Sequence, residues 1–204
     1  MAADPRRRGR PPDPSRRDAV LQAAKQAFYE RGYEAAGIRD IANRLGLRTG
    51  AIYHHFGSKE EILFEIVLGV YRRSLDLLER VQALDDSPLV ALRELMRGHV
   101  ANLIADVATT TLALAEYKSL RPDHARVIDS AHRTYLDGFR ELIRTGQEQR
   151  LIRADVDPEL AALVIVGALN SVVRWYRPPG SRPAGEVTDA YVNILLGGVG
   201  IFLD

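Results

Sequence analysis

Residues 37–59 read GIRDIANRLGLRTGAIYHHFGSK, and the fold of the chain turns on this stretch. Ile38, Ile41, Ala42 and Leu45 recur at helical spacing, so a short helix has one apolar side that must pack against something. Gly46 stops it, because glycine accepts the left-handed conformation past a helix end without a Cβ clash. Residues 47–56 then predict a second short helix, with Ile52 and Phe56 on its inner side and Arg48, Thr49, Tyr53 and His54 on its outer side. The pattern is a helix-turn-helix. Its outer side holds hydrogen-bond donors and a phenolic hydroxyl, the groups that reach base edges and phosphates in a major groove.

Upstream, residues 15–31 predict a first helix with Val20, Leu21, Ala24, Ala27 and Phe28 on its apolar side, ended by Gly32; Tyr33 opens the linker. Residues 1–14 hold Arg6, Arg7, Arg8, Arg10 and four prolines with no large apolar anchor, and are expected to be a disordered basic arm. Within it, Arg8-Gly9-Arg10-Pro11 resembles an AT-hook core, in which Arg8 and Arg10 enter a narrow minor groove; the alternative is a nonspecific basic tail. Downstream, Ser58-Lys59-Glu60-Glu61 is a capping box that starts a fourth helix running to about residue 84.

Residues 39–63, RDIANRLGLRTGAIYHHFGSKEEIL, resemble the DNA-binding domain of TetR-family transcription regulators. The resemblance implies an all-α fold. An N-terminal three-helix DNA-binding domain, residues 15–60, would be followed by a helical ligand-binding and dimerisation domain, residues 61–204. It also implies that Arg48, Thr49, Gly50, Tyr53 and His54 face the operator, and that the Lys59 ammonium and the first amides of the fourth helix hold a phosphate. Where family members have a threonine before the second helix, this chain has Ala36-Gly37, so only backbone amides remain for a phosphate there.

Charge is divided along the chain. Residues 1–60 hold 12 Lys or Arg against 7 Asp or Glu (+5), and the remainder 16 against 20 (−4), so the end with the helix-turn-helix is the end suited to a polyanion. The absence of cysteine excludes disulfides and thiolate chemistry. With no apolar run behind the charged N-terminus, it points to a cytoplasmic protein. The longest uncharged apolar segment, residues 160–173, is too short to span a membrane.

Five further helices are predicted, at about residues 87–105, 109–119, 122–149, 157–175 and 186–202, three of them opened by Pro88, Pro122 and Pro158. Leu160, Leu163, Val164, Gly167, Ala168, Ser171 and Val172 line one helix; Val192, Leu195, Leu196 and Val199 line the last. These faces suit a homodimer through a four-helix interface, or else the core of one protomer. A two-fold pair of recognition helices about 34–36 Å apart requires an inverted-repeat operator in double-stranded DNA.

Tyr71, His99, Leu103, Val107, Leu112, Tyr117, Tyr135, Phe139, Asn170, Arg174 and Trp175 combine apolar walls with a few polar groups, which describes either a small-molecule effector pocket or an ordinary helical core. Residues 170–180, NSVVRWYRPPG, resemble the C-terminal segment of TetR members that respond to acyl-CoA in lipid or steroid catabolism. Arg174 and Arg177 would pair headgroup phosphates and Trp175 would stack on a flat ring. The structural alternative has Trp175 and Tyr176 covering the end of the dimer interface with the arginines in solvent.

Other classes fit less well. There is no phosphate-binding glycine loop and no nucleophile elbow for an enzyme. His99, His124 and His132 lack the spacing of metal ligands, and no cofactor is implied. An architectural AT-rich DNA-binding protein is suggested by the arm alone, and a transcriptional activator is the other reading of the same domains.

Overall fold

The computed structural model describes residues 14–84, 86–177 and 182–199. Among these there is no strand. The helices are α1 (Pro14–Arg31), α2 (Ile38–Arg44), α3 (Thr49–Tyr53), α4 (Lys59–Gln82), α5 (Pro88–Ala105), α6 (Val107–Glu116), α7 (Pro122–Glu148), α8 (Pro158–Asn170), α9 (Val172–Trp175) and α10 (Ala184–Val199), with a 3₁₀ turn at Tyr117–Ser119. The chain divides into two compact units, Met1–Ile66 and Val67–Asp204, and α4 runs through the boundary.

In the first unit, Val20, Ala24, Ala27, Phe28, Ile41, Ala42, Ile52, Phe56, Ile62 and Leu63 bury together, so the residues placed on inner faces by spacing do form the core. Tyr33 closes it, edge-on to Phe28 at 5.2 Å. Gly32 and Gly46 sit at φ +79° and +64°, where a side chain would be strained; they end α1 and α2. Ion pairs Arg31–Asp40 and Arg44–Glu30 tie α2 to α1. Arg17 bridges to Glu65 at 2.8 Å while its guanidinium lies 4.9 Å from the centre of the Phe56 ring, which ties α1 to α4.

The second unit packs α5, α7, α8 and α10 with the C-terminal half of α4 around Leu92, Leu95, Met96, Tyr135, Phe139, Ile143, Ile165, Leu169 and Val192. Close approach is achieved by removing side chains. A Cβ on Gly98 would lie 2.4 Å from Leu77, and one on Gly138 would lie 2.3 Å from Leu78, so successive leucines of α4 sit in notches on α5 and α7. Starts follow the sequence signals closely: Ser87 and Asp157 cap α5 and α8 with proline in the first turn.

Three expectations on helix limits are corrected. α3 is only Thr49–Tyr53, because Phe56 reaches the core from the turn after the helix. α6 starts at Val107 under an Asp106 cap, whose side chain accepts from the Thr109 amide at 3.0 Å. The helix expected over residues 157–175 breaks at Ser171, whose hydroxyl donates to the Ala168 carbonyl at 2.6 Å. Pro158–Trp175 has the length and apolarity of a membrane span, but this break interrupts it, and one side of α8 (Ala161, Ala162, Ile165, Val166, Leu169) is buried in the core.

The other side of α8 is apolar and uncovered. Leu160, Leu163 and Val164 are 61%, 47% and 63% exposed, and Gly167 continues the stripe; on α10, Ile194 is 74% exposed. Val172, Val192 and Leu196, expected on the dimer faces, are instead buried within the protomer. The side chain of Val199 lies outside the described residues.

Candidate nucleic-acid interface and effector cavity

Burying Ile52 fixes the rotation of α3 and therefore decides which residues face out. Gly50, Tyr53 and His54 are exposed beside the half-exposed Thr49, and Arg48 precedes them as the exposed N-cap. Tyr53 is 53% exposed. Nothing lies within 4 Å of a Cβ built on Gly50, so the surface there is open to close approach. Arg8 and Arg10 lie outside the described residues.

Lys59 is placed differently from the expectation. Its ammonium donates to the carbonyls of Tyr33 (2.9 Å), Ala36 (3.2 Å) and Glu34 (3.3 Å) and sits 4.3 Å from the centre of the Tyr33 ring. An ammonium has three protons, and all are used on the α1–α2 linker. The Gly37 amide is likewise taken, donating to the Asp40 carboxylate at 2.8 Å, which holds that carboxyl below its usual range. The cap of α4 forms as expected on one side, with the Glu61 amide donating to Ser58 Oγ at 3.0 Å. The Glu61 carboxylate, however, reaches back to the Gly57 amide at 2.7 Å.

In the second unit Tyr71, His99, Leu103, Tyr135 and Asn170 come together, with Val70, Ser74, Thr110, Ala113, Leu114, His132 and Val166, around a cavity of about 40 Å³. That is room for one or two waters. His99 organises its polar side. Asn170 Oδ1 can only accept, so His99 Nε2 donates to it at 3.2 Å, and His99 Nδ1 accepts from the Tyr135 hydroxyl at 3.0 Å. Burial pushes the His99 imidazole down to about 4 and the Tyr135 phenol up, so both are neutral near pH 7 and the chain of donors runs one way.

Leu114 and Asn170 also line a second, open cavity of about 500 Å³ between α6 and α8–α9, with Thr111, Ala115, Gly167, Val173 and Arg174. These two side chains are thus the shared wall between an outer groove and an inner cavity.

The other expected ligand contacts are used elsewhere. Phe139 packs edge-on to Tyr135 in the core, and Val107 packs on the Leu103, Val172 and Tyr176 cluster. Leu112 is buried without reaching the cavity. Tyr117 donates to Asp129, which pushes its hydroxyl up to about 12. Trp175 stacks on Tyr191 and donates to its hydroxyl at 3.0 Å. Arg177 closes α9 by donating to the carbonyls of Val173, Tyr176 and Arg174 at 2.9–3.2 Å, so it is a helix cap. The cavity residues missed from sequence, Val70, Ser74, Thr110, Ala113, Leu114, His132 and Val166, have no signature apart from lying within two helical turns of residues that were named. Among the described residues no group of three acidic or histidine side chains could hold a metal.

Residues 20–66 match the family described as bacterial regulatory proteins, tetR family, and residues 85–199 match the tetracyclin repressor-like C-terminal domain. The chain belongs to the TetR family. Membership makes it an all-helical DNA-binding transcription regulator in a family of repressors that dimerise and bind ligands. Among TetR proteins it is 32% identical over 204 residues to the HTH-type transcriptional repressor KstR2 of Mycobacterium tuberculosis, covering 91% of this chain and 93% of that one. The solved structure of that ketosteroid transcriptional regulator superposes with a TM-score of 0.84 at 29% identity, covering 95% and 98%. The TetR regulator PfmR from Thermus thermophilus gives 0.81 at 35% identity, covering 87% and 97%. AibR in complex with isovaleryl coenzyme A and operator DNA gives 0.78 at 27% identity, covering 88% and 97%.

Proposed function

We propose that this TetR protein is a homodimeric repressor that reads an inverted-repeat operator through α3 and is released by a small apolar effector carried as an acyl-CoA thioester. One observation carries the ligand switch: Val70, Tyr71 and Ser74 of α4 form part of the wall of the inner cavity, and the first turn of that same helix belongs to the DNA-binding unit. A cavity of about 40 Å³ must swell to admit an acyl chain, and the swelling displaces α4. Turning a 1:99 equilibrium into 99:1 demands about 5.5 kcal/mol of differential affinity. An acyl chain of eight carbons, at about 0.8 kcal/mol per buried CH₂, supplies that order of energy. The thioester reading is supported by the isovaleryl coenzyme A in the AibR complex, by the ketosteroid regulation in the name of KstR2, and by Arg174 on the outer groove, a cation placed for a headgroup phosphate.

Titrating octanoyl-CoA into the protein–operator complex should release the DNA. Arg174→Ala should raise the concentration required about tenfold, as expected for one lost charge-assisted contact. No release by any acyl-CoA would overturn the effector reading, and an unchanged midpoint in the variant would remove Arg174 from the site. If transcription in a reporter strain rises when the protein is present, the regulator is an activator and the sign of the proposal is reversed.

The operator surface has its own test. Tyr53→Phe should weaken operator binding about tenfold with unchanged Tm, since the exposed hydroxyl has no hydrogen bond among the described residues. Lys59→Ala should lower stability of the N-terminal unit by about 1–3 kcal/mol, because it strips three carbonyls of the α1–α2 linker of their donor. Equal melting curves for Lys59→Ala and wild type would show that these bonds do not hold the linker, and weaker operator binding by that variant would then assign Lys59 to the DNA.

A further inference from the structure

Thr110 supplies what the cavity lacks an explanation for. It is 1% exposed, it lines the inner cavity, and its Oγ1 is buried with no hydrogen-bond partner among the described groups. Threonine inside a helix ordinarily satisfies its hydroxyl on the carbonyl one turn back, as Ser74 does to Val70 at 3.3 Å on the facing α4. Thr110 does not. The other polar groups of the cavity do not take it up: His99, Tyr135 and Asn170 bond one another in a single directed chain. A valine would fill the same volume without burying a bare hydroxyl, and the neighbouring apolar positions Leu103, Ala113 and Val166 show that the wall accepts such residues. Thr111, the next residue, lies instead on the outer groove, so α6 presents one hydroxyl to each space.

We propose that the effector is an oxygenated acyl group: the end that passes Leu114 and Asn170 into the inner cavity bears a ketone or hydroxyl oxygen that pairs with the Thr110 hydroxyl. This rests on the acyl-CoA reading above for the rest of the molecule. Discrimination then follows from the site, because a saturated chain leaves a buried hydroxyl unpaired while an oxygenated one satisfies it.

Octanoyl-CoA is compared by calorimetry with octanoyl-CoA bearing a ketone at carbon 5, 6 or 7, on wild type, Thr110→Val and Thr110→Ser. The wild type should bind at least one ketone about tenfold or more tighter than octanoyl-CoA. Thr110→Val should erase that preference and raise the Tm of the ligand-free protein by about 2–6 °C. Thr110→Ser should restore the preference. A merely structural threonine predicts no change in the ratio between the two ligand types. Equal binding of the ketones and octanoyl-CoA to wild type, or a preference that survives in Thr110→Val, overturns the proposal. If no thioester binds, the coenzyme A reading has failed; the free acids of the same series then decide the oxygen question alone, a ketone preference lost in Thr110→Val supporting it and any other result overturning it.

Discussion

Val164→Arg will give a folded monomer that no longer holds the operator. Val164 is 63% exposed on α8, in line with Leu160, Leu163 and Gly167 at one-turn intervals, so arginine there meets solvent in a lone protomer and costs the helix nothing. In a two-fold dimer through this stripe the same position faces its own symmetry partner or Ile194, and the substitution brings a cation into an apolar seam twice, once from each copy. Separate headpieces lose the gain from linkage, which converts binding at the second half-site into an intramolecular event, so operator affinity should fall by about two to four orders of magnitude. Sedimentation should show the change of mass, circular dichroism an unchanged helix content, and gel shift the loss of DNA. Val127→Arg is the control: Val127 is 46% exposed but belongs to α7, not to α8 or α10, and it should change none of the three. A dimer that survives Val164→Arg would place the interface elsewhere.

That stripe shows how far the sequence could be read. Period-3.6 spacing over residues 160–172 picked out Leu160, Leu163, Val164 and Gly167, which lie on an exposed side of α8, but it ran on to Val172, which is buried, because the spacing assumes an unbroken helix and the chain breaks at Ser171. For α10 the same reasoning picked Val192 and Leu196, which are core, and passed over Ile194. One helix with apolar residues nearly all round gives no phase from which to choose. Helix starts were legible wherever a cap and a proline coincide, as at Ser87-Pro88 and Asp157-Pro158, since both signals are local chemistry. The break at Ser171 and the shortness of α3 were not, for they depend on groups distant in the chain: Ser171 Oγ also meets the Tyr191 hydroxyl at 2.9 Å, twenty residues away.

The site divides in the same way. The outward face of α3 follows from burying Ile52, a local constraint. Lys59 and Arg177 were assigned to phosphates because a cation in a motif attracts that reading, yet each spends its protons on nearby carbonyls that only the folded chain brings within reach. Arg174 makes no such capping bond among the described residues and lines the outer groove, which is why it alone of the two arginines remains in the proposed headgroup site.

Acid should expose the cost of burying His99. Its ordinary pKa of 6.5 describes the unfolded chain, and in the fold burial lowers it to about 4, against the smaller opposing effect of the Asn170 hydrogen bond. The unfolded state therefore binds more protons between those values, so the contribution is fully present above about pH 6.5 and is lost as pH falls toward 4. At about 1.36 kcal/mol per unit over this interval, close to 3 kcal/mol of stability disappears. Half-buried His132, lowered chiefly by burial, adds in the same direction. Urea unfolding of wild type and His99→Gln at pH 7, 6, 5 and 4.5 isolates the residue: glutamine keeps a donor and an acceptor for Asn170 and Tyr135 but does not titrate. The wild-type midpoint should fall with acid more steeply than that of the variant, the two converging or crossing below pH 5. Parallel curves would mean that His99 takes up its proton in the fold as readily as in the unfolded chain; the imidazolium would then donate to Tyr135 as well as to Asn170, turning round the Tyr135–His99 bond and leaving the His99–Asn170 bond as it is.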